Sequence, residues 1–264
     1  MRAKSRPVDR GPFRAEHLHS GDPYELSNGH AILCLPTGGR GSGPNGLGVS
    51  VVGWDPAVKE AGVDTGYSPE PGTLRAPDVA VGNVPDAPGW VAGAPELAIE
   101  YADVGQDEEK LAQKVTDLLA AGTRYLWVVR LTGPRRVEVH EQGKKKVRTV
   151  LPGAMLSAPG VLKNPVRVEA LYDRGEAERA TLTNLLQRRG YEDLDAVLAA
   201  GRTEGLKEGE AQGRAASIVA VLEARGVHVT KAARERIARC GDVAQLDRWV
   251  RRAAVIRKVG ELFE

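Results

Sequence analysis

Two cysteines in 264 residues, Cys34 and Cys240, lie too far apart and too isolated to form a disulfide framework or a zinc knuckle. The five histidines, at 17, 19, 30, 140 and 228, show no spacing that suggests a metal triad. Aromatic residues make up only 5% of the chain, which leaves little material for stacking on single-stranded bases. No GxSxG elbow and no P-loop lysine motif occurs, so a serine hydrolase and a P-loop nucleotidase are both poor readings. No apolar run approaches the roughly 20 residues needed to cross a bilayer. The opening stretch Met1–Arg14 is basic without the apolar core of a secretory signal. The expectation is a soluble, cytoplasmic protein with no membrane partner. Overall charge is also uninformative: 37 Lys and Arg against 35 Asp and Glu give +2.

What the chain has in quantity is glycine (31) and proline (16), which require much turn and loop. Its charge is segregated. Residues 1–20 hold five basic and two acidic side chains, the middle is net acidic, and 201–264 hold thirteen basic against nine acidic. The first twenty residues therefore read as a basic flexible arm. Short strand-like runs follow at 30–35, 78–82, 96–102, 125–130, 136–141 and 147–151. The stretch 107–121 carries Leu111, Val115, Leu118 and Leu119 at helical spacing, with Gly122 placed as a C-cap. Strand, helix, strand in that order predicts a crossover unit and a mixed α/β core.

Gly41-Ser-Gly-Pro-Asn-Gly46 matches GxGxxG literally, but Pro44 and the surrounding glycines make a poor first helical turn, and a plain loop is expected. Beyond about residue 166 the pattern turns helical, with candidates at 176–188 and 194–199. Glycines then recur at 201, 205, 209 and 213, either as a flexible charged linker or as a helix packed closely on a partner. Blocks at 218–225, 231–239 and 243–254, the last with Asp242 as N-cap, complete a small basic helical domain. The domain plan is an arm (1–20), an α/β domain (21–172), a helical linker (173–200) and the helical domain (201–264).

Two acids stand out. In the 96–102 strand Glu100 shares a face with Ala98 and Ala102, and a carboxylate in an apolar strand needs a reason. Asp78 opens a similar short strand. If the two strands pair, their carboxylates converge on one hard cation of the Mg²⁺ or Mn²⁺ type. Lys114 lies about 85° from the centre of the apolar stripe of its helix, at the border of the buried face, within reach of those acids. The basic cluster Arg135, Arg136, Lys144, Lys145, Lys146 and Arg148 reads either as a phosphate-tracking hairpin or as a solvated tip.

The ordered set Tyr24-Glu25-Leu, Arg75-Ala-Pro-Asp78-Val-Ala, Pro95-Glu-Leu-Ala-Ile-Glu100, Lys114 and Tyr125-Leu-Trp127-Val-Val resembles the Uma-two family of endonucleases over about residues 16–170. The resemblance implies the PD-(D/E)XK restriction-endonuclease-like fold: a mixed central sheet flanked by helices, here with an all-helical C-terminal extension. It implies that Asp78 and Glu100 are metal ligands for Mg²⁺ (Mn²⁺ as an alternative), joined by the main-chain carbonyl of Tyr101. Glu25, from the first helical segment, is then an accessory acid, and DNA is the substrate of phosphodiester hydrolysis. Many relatives of this fold place a lysine two residues after the strand carboxylate. Here that position is Ala102, and Lys114 would replace it. Ala102 and the glycine run keep a second reading open: a nuclease-fold scaffold that no longer cuts. The 201–264 block is expected to mediate homo-oligomer or protein-partner assembly.

Overall fold

The computed structural model describes residues 11–264, arranged as two units, the first ending at Glu192 and the second running Asp193–Glu264. The first unit opens with a 3-10 turn at Ala15–His17, then a hairpin of β1 (Tyr24–Ser27) and β2 (His30–Leu33). Asn28 and Gly29 form its two-residue turn, both at positive φ, the conformation that an Asn-Gly pair accepts most readily. Helix α1 (Gly39–Gly53) follows, then β3 (Ala61–Val63), β4 (Val79–Val81), β5 (Leu97–Ala102), α2 (Glu108–Ala121), β6 (Tyr125–Arg130), β7 (Arg136–Glu141) and β8 (Arg148–Val150). A small antiparallel pair, β9 (Met155–Leu156) and β10 (Val166–Arg167), precedes α3 (Arg174–Arg188).

Strands β3 to β8 form one six-stranded sheet in chain order. Only β5 and β6 are parallel, because α2 crosses between them; every other neighbour is antiparallel. All six residues of β5 are buried, as expected of a strand covered on both faces. One face, with Ala98, Ala102, Leu126 and Val128, packs against Leu111, Val115 and Leu118 of α2. The other face, with Ile99, Tyr101, Trp127, Val129, Val137 and Val139, packs against α1 and α3. Helix α2 begins and ends where its sequence directs. The Asp107 side chain accepts from the N–H groups of Glu109 and Lys110, and Gly122 closes the helix at φ 117°.

Four expectations change. Glu25 sits on strand β1, not on a helix, because the Asn28-Gly29 turn pairs β1 with β2; Leu26, fully buried, also exchanges backbone hydrogen bonds with Leu74. The glycine run from 39 to 53 is helix α1, not a loop. Val51 and Val52 anchor it in the core, and tertiary burial overrides the weak propensity of glycine. At Gly48 the glycine is required: a Cβ there would collide with the Tyr101 hydroxyl, which donates to the Leu171 carbonyl at 3.0 Å. The span 173–200 is not a linker. Helix α3 belongs to the first unit, where Asn184 donates to the Val51 carbonyl (2.9 Å) and Ala177 enters the core. Of the arm, residues 1–10 lie outside the described residues. Phe13 and Ala15 are pinned by N–H bonds to Gly29 and Pro71 carbonyls.

The second unit is all helical: α4 (Leu194–Ala224), α5 (Lys231–Ala238), α6 (Val243–Ala253) and a 3-10 turn at Val259–Phe263. Ile218, Leu222, Ile237, Leu246, Trp249 and Leu262 fill its core. Trp249 meets Phe263 edge-on at 5.1 Å. The spaced glycines lie inside α4, so the flexible-linker alternative is replaced by continuous helix. Helix formers fill the intervals between the glycines, and Glu210 pairs with Arg214 at 2.6 Å across one turn. Among the described residues no helix is long and apolar enough to cross a membrane.

Candidate active site

The β4–β5 ladder ends on the pair Val79–Ile99, and Asp78 and Glu100 are the next residue of each chain beyond that end. The Asp78 carboxylate turns back onto the end of the ladder and accepts the Tyr101 N–H at 2.7 Å. The Ala102 carbonyl points toward β6, where it accepts from Leu131. By strand alternation the Tyr101 carbonyl then faces the β4 edge, beside Asp78, where the ladder has ended.

Lys114 enters from α2. Its ammonium lies 2.9 Å from Glu100 Oε1 and 3.1 Å from Glu25 Oε1, and donates to the Ala76 carbonyl at 2.7 Å. Glu100 is buried, and its pairing with Lys114 is the closest charge contact of its carboxylate. Burial raises the Asp78 carboxyl above its usual range and pushes Glu100 up to about 8, with Lys114 opposing both shifts and the charges of Asp78 and Glu25 adding to the rise of Glu100. Burial alone would lower the Lys114 ammonium, but Glu100, Glu25 and Asp78 hold it raised.

Behind this triad stands a pair that the sequence did not single out. Arg75, 2% exposed, reaches Glu25 at 3.1 Å and Asp117 at 2.6 Å. Asp117 also accepts from Ser27 Oγ (2.8 Å) and Gln113 Nε2 (2.7 Å). Glu25, Asp78, Glu100 and Asp117 thus face only Lys114 and Arg75. With all four acids ionised the set carries −2, the charge that one divalent cation neutralises. Arg75 was readable only as part of the run before Asp78, and nothing local in the sequence signals that Asp117 would meet it.

The raised Glu100 has a testable consequence. Its native carboxyl holds a proton up to about 8, while the unfolded chain releases it near the ordinary glutamate value, so the native state binds more protons between those limits. Stability of the metal-free protein is therefore highest at the acid end of that window and falls as pH rises through 8. A melting series from pH 5.5 to 8.5 should show this decline, and Glu100→Gln should flatten it.

The residues fit a hard cation. Two carboxylates are the number Mg²⁺ commonly takes from a protein, the remaining positions being water. Among the described residues no three His, Cys, Asp or Glu side chains form a metal-binding group.

A family model described as "Uma2: Putative restriction endonuclease" matches residues 13–166, more than half of the chain. The chain belongs to the Uma2 family. The fold agrees: the crystal structure of a "putative nuclease belonging to DUF820" from Anabaena variabilis ATCC 29413 superposes with a TM-score of 0.51, at 18% identity, over 61% of this chain and 96% of that one. No curated protein matches. Within this Uma2 member, Ala102 is buried under α2, so the lysine position common in the wider fold is filled by core. The ammonium arrives from α2 instead.

The basic cluster does not stay together. Arg136 pairs with Arg130 in the row that contains Ala102, at the same sheet end as Glu100, and Arg135 stacks over Tyr172 at 4.5 Å. Lys144, Lys145 and Lys146 follow Glu141, which is in the row of Tyr125 and Leu97, about 17 Å along the strands. Arg148 lies between, opposite Val139. Arg136 is engaged by Glu138 at 3.1 Å and Lys144 by Glu141.

Proposed function

We propose that this Uma2 protein is a metal-dependent endonuclease, a hydrolase of DNA phosphodiester bonds, using Mg²⁺ or Mn²⁺. The observation that carries the reading is the buried meeting of Glu25 and Glu100 on the Lys114 ammonium, with Asp78 held at the adjoining end of the β4–β5 ladder by the Tyr101 N–H. Asp78, Glu100 and the Tyr101 carbonyl would hold the cation. When bound, it supplies Lewis-acid polarisation of the phosphate and a lowered pKa for a coordinated water.

The chain's own groups do the rest. Lys114, fixed between two carboxylates, presents a positive charge toward the oxygens where negative charge grows as water adds to phosphorus and the ester oxygen leaves. Glu25 and the Ala76 carbonyl hold that ammonium in one position. Arg75 in turn fixes Glu25. Because preorganised charge acts in a water-poor pocket, its effect is larger than at the surface.

The test is incubation of supercoiled plasmid with the protein in Mg²⁺ or Mn²⁺. Nicked or linear product is expected, and chelation should abolish it. Cutting that persists in chelator would overturn the metal dependence. Ala102 favours the other reading, a nuclease fold that no longer cuts, and the absence of any product with either ion would establish it.

Duplex contact is assigned to the separated basic groups. About five base pairs span the 17 Å between the two sheet ends, so both lie within one footprint. Changing Lys144, Lys145 and Lys146 together to Ala should weaken DNA binding and lower the salt slope by about 2 to 3 units, measured on catalytically silent Glu100→Gln protein. An unchanged slope would remove that tip from the DNA path.

A further inference from the structure

We infer that the outward face of α6 and the turn after it grip the phosphate backbone of double-stranded DNA, through Arg248, Arg251, Arg257 and Lys258. The inference concerns the second unit alone and stands apart from the metal-dependent reading above.

Residues 225–258 hold ten basic side chains and three acidic ones, a local excess of +7 in a chain whose total is +2. The three acids offset little of it. Asp242 uses its carboxylate as the N-cap of α6, accepting from the N–H groups of Ala244 and Gln245 at 2.9 and 3.1 Å. Asp247 pairs with Arg214 of α4, and Glu235 lies 3.9 Å from Arg239. Several cations have structural duties. Arg225 donates to the Ala253 and Ile256 carbonyls, Arg234 pairs with Glu223, Arg236 stacks over Phe263 at 4.2 Å, and Arg252 donates to the Glu261 carbonyl.

Leu246, Trp249 and Ala253 face the core, so the opposite side of α6 presents Arg248 and Arg251, both exposed and one turn apart. Arg257 and Lys258, also exposed, follow just beyond the helix end. Among the described residues, the ion pairs of the second unit involve none of these four. Arg248 bonds the neutral Gln245, and Arg257 meets Glu261 through its backbone N–H. Arg251 and Arg252 in the last turn already complement the helix dipole. The other three cations therefore add mutual repulsion, which a polyanion relieves. Eight of the ten cations in 225–258 are arginine, whose planar fork matches phosphate oxygens. The four residues 239–242, Gly241 among them, join α5 to α6, the connection length of helix-turn-helix modules, whose second helix meets the duplex. A membrane surface fits less well, because the apolar side of α6 is taken up by the core.

The test is duplex binding by full-length Glu100→Gln protein in chelator, read by fluorescence anisotropy of a labelled duplex between about 50 and 200 mM salt. Replacing Arg248, Arg251, Arg257 and Lys258 together by Ala should lower the salt slope by about 3 units and the affinity by at least about tenfold. Changing the three arginines to Lys preserves the charge and should leave the slope within about one unit of the parent. Circular dichroism verifies that both variants fold. Unchanged slope and affinity in the Ala variant, or an equal loss of slope in the Lys variant, would overturn the inference. Phosphatidylserine vesicles or polyglutamate binding more tightly than the duplex at matched charge would also overturn it, and would assign the patch to a membrane or an acidic protein. Chelator and Glu100→Gln both silence cutting, so failure here leaves the metal-dependent reading intact, and failure of cleavage leaves this inference intact.

Discussion

Asp78→Asn and Glu100→Gln should each lower plasmid cleavage in Mg²⁺ by about 10³-fold or more while leaving the fold in place. Both changes keep side-chain size and remove one charge from a site whose buried set carries −2 against a dication. The effect on stability runs the other way for Glu100. Its carboxyl is buried and pushed up to about 8, so a neutral amide relieves desolvation in the metal-free protein. Asp78 accepts the Tyr101 N–H, and Asn retains an acceptor for that bond. Single-turnover cleavage beside a melting curve reads both quantities. Activity within tenfold of the parent for either variant would place the chemistry elsewhere; lost activity with a lowered melting point alone would reduce the acids to structural groups.

Arg75→Met should destabilise the first unit by about 3–5 kcal/mol, the cost typical of stranding a buried partner of an ion pair. Two carboxylates, Glu25 and Asp117, depend on this one guanidinium, and its side chain is 2% exposed. Lysine is no substitute, because a single ammonium cannot span acids that the arginine fork bridges from different nitrogens. The double variant Arg75→Met with Asp117→Asn should recover part of the loss, since one stranded charge is then gone. Denaturant titration provides the comparison. A loss below about 1 kcal/mol would mean that water reaches Glu25 and Asp117 once the arginine is removed, and that the cluster is less sealed than its geometry implies.

Much of the sheet could be read in advance because its signals are local. Tyr125–Arg130 and Arg136–Glu141 are runs of β-formers bounded by turn residues, and they are strands β6 and β7 with those limits. Asp107 and Gly122 mark the ends of α2 through their own side-chain and backbone chemistry. Helix α1 was not readable. Its composition argues for a loop, and what makes it helical is the burial of Val51 and Val52 and the tight seat of Gly48 on Tyr101, both contacts with residues far along the chain. Glu25 is placed on a helix by the family resemblance alone; the Asn28-Gly29 turn that pairs β1 with β2 is a local hairpin signal.

The candidate site divides the same way. That Glu100 stands on an alanine-lined face and that Lys114 borders an apolar stripe follow from periodicity alone, since a strand repeats every two residues and a helix every 3.6. Which groups then meet is a matter of register and crossing geometry. The end of the ladder at Val79 and Ile99, with the Tyr101 N–H bound to Asp78, leaves Asp78 beside the Glu100 segment, and the packing of α2 over Ala98 and Ala102 brings the Lys114 ammonium between Glu25 and Glu100. Arg75 and Asp117 join through distances that no spacing rule contains. The chain thus determined its elements and the chemical types it offers, because propensity and pattern act over a few residues. Tertiary packing decided which of those groups share a desolvated pocket, because burial and long-range pairing exist only once the chain is folded.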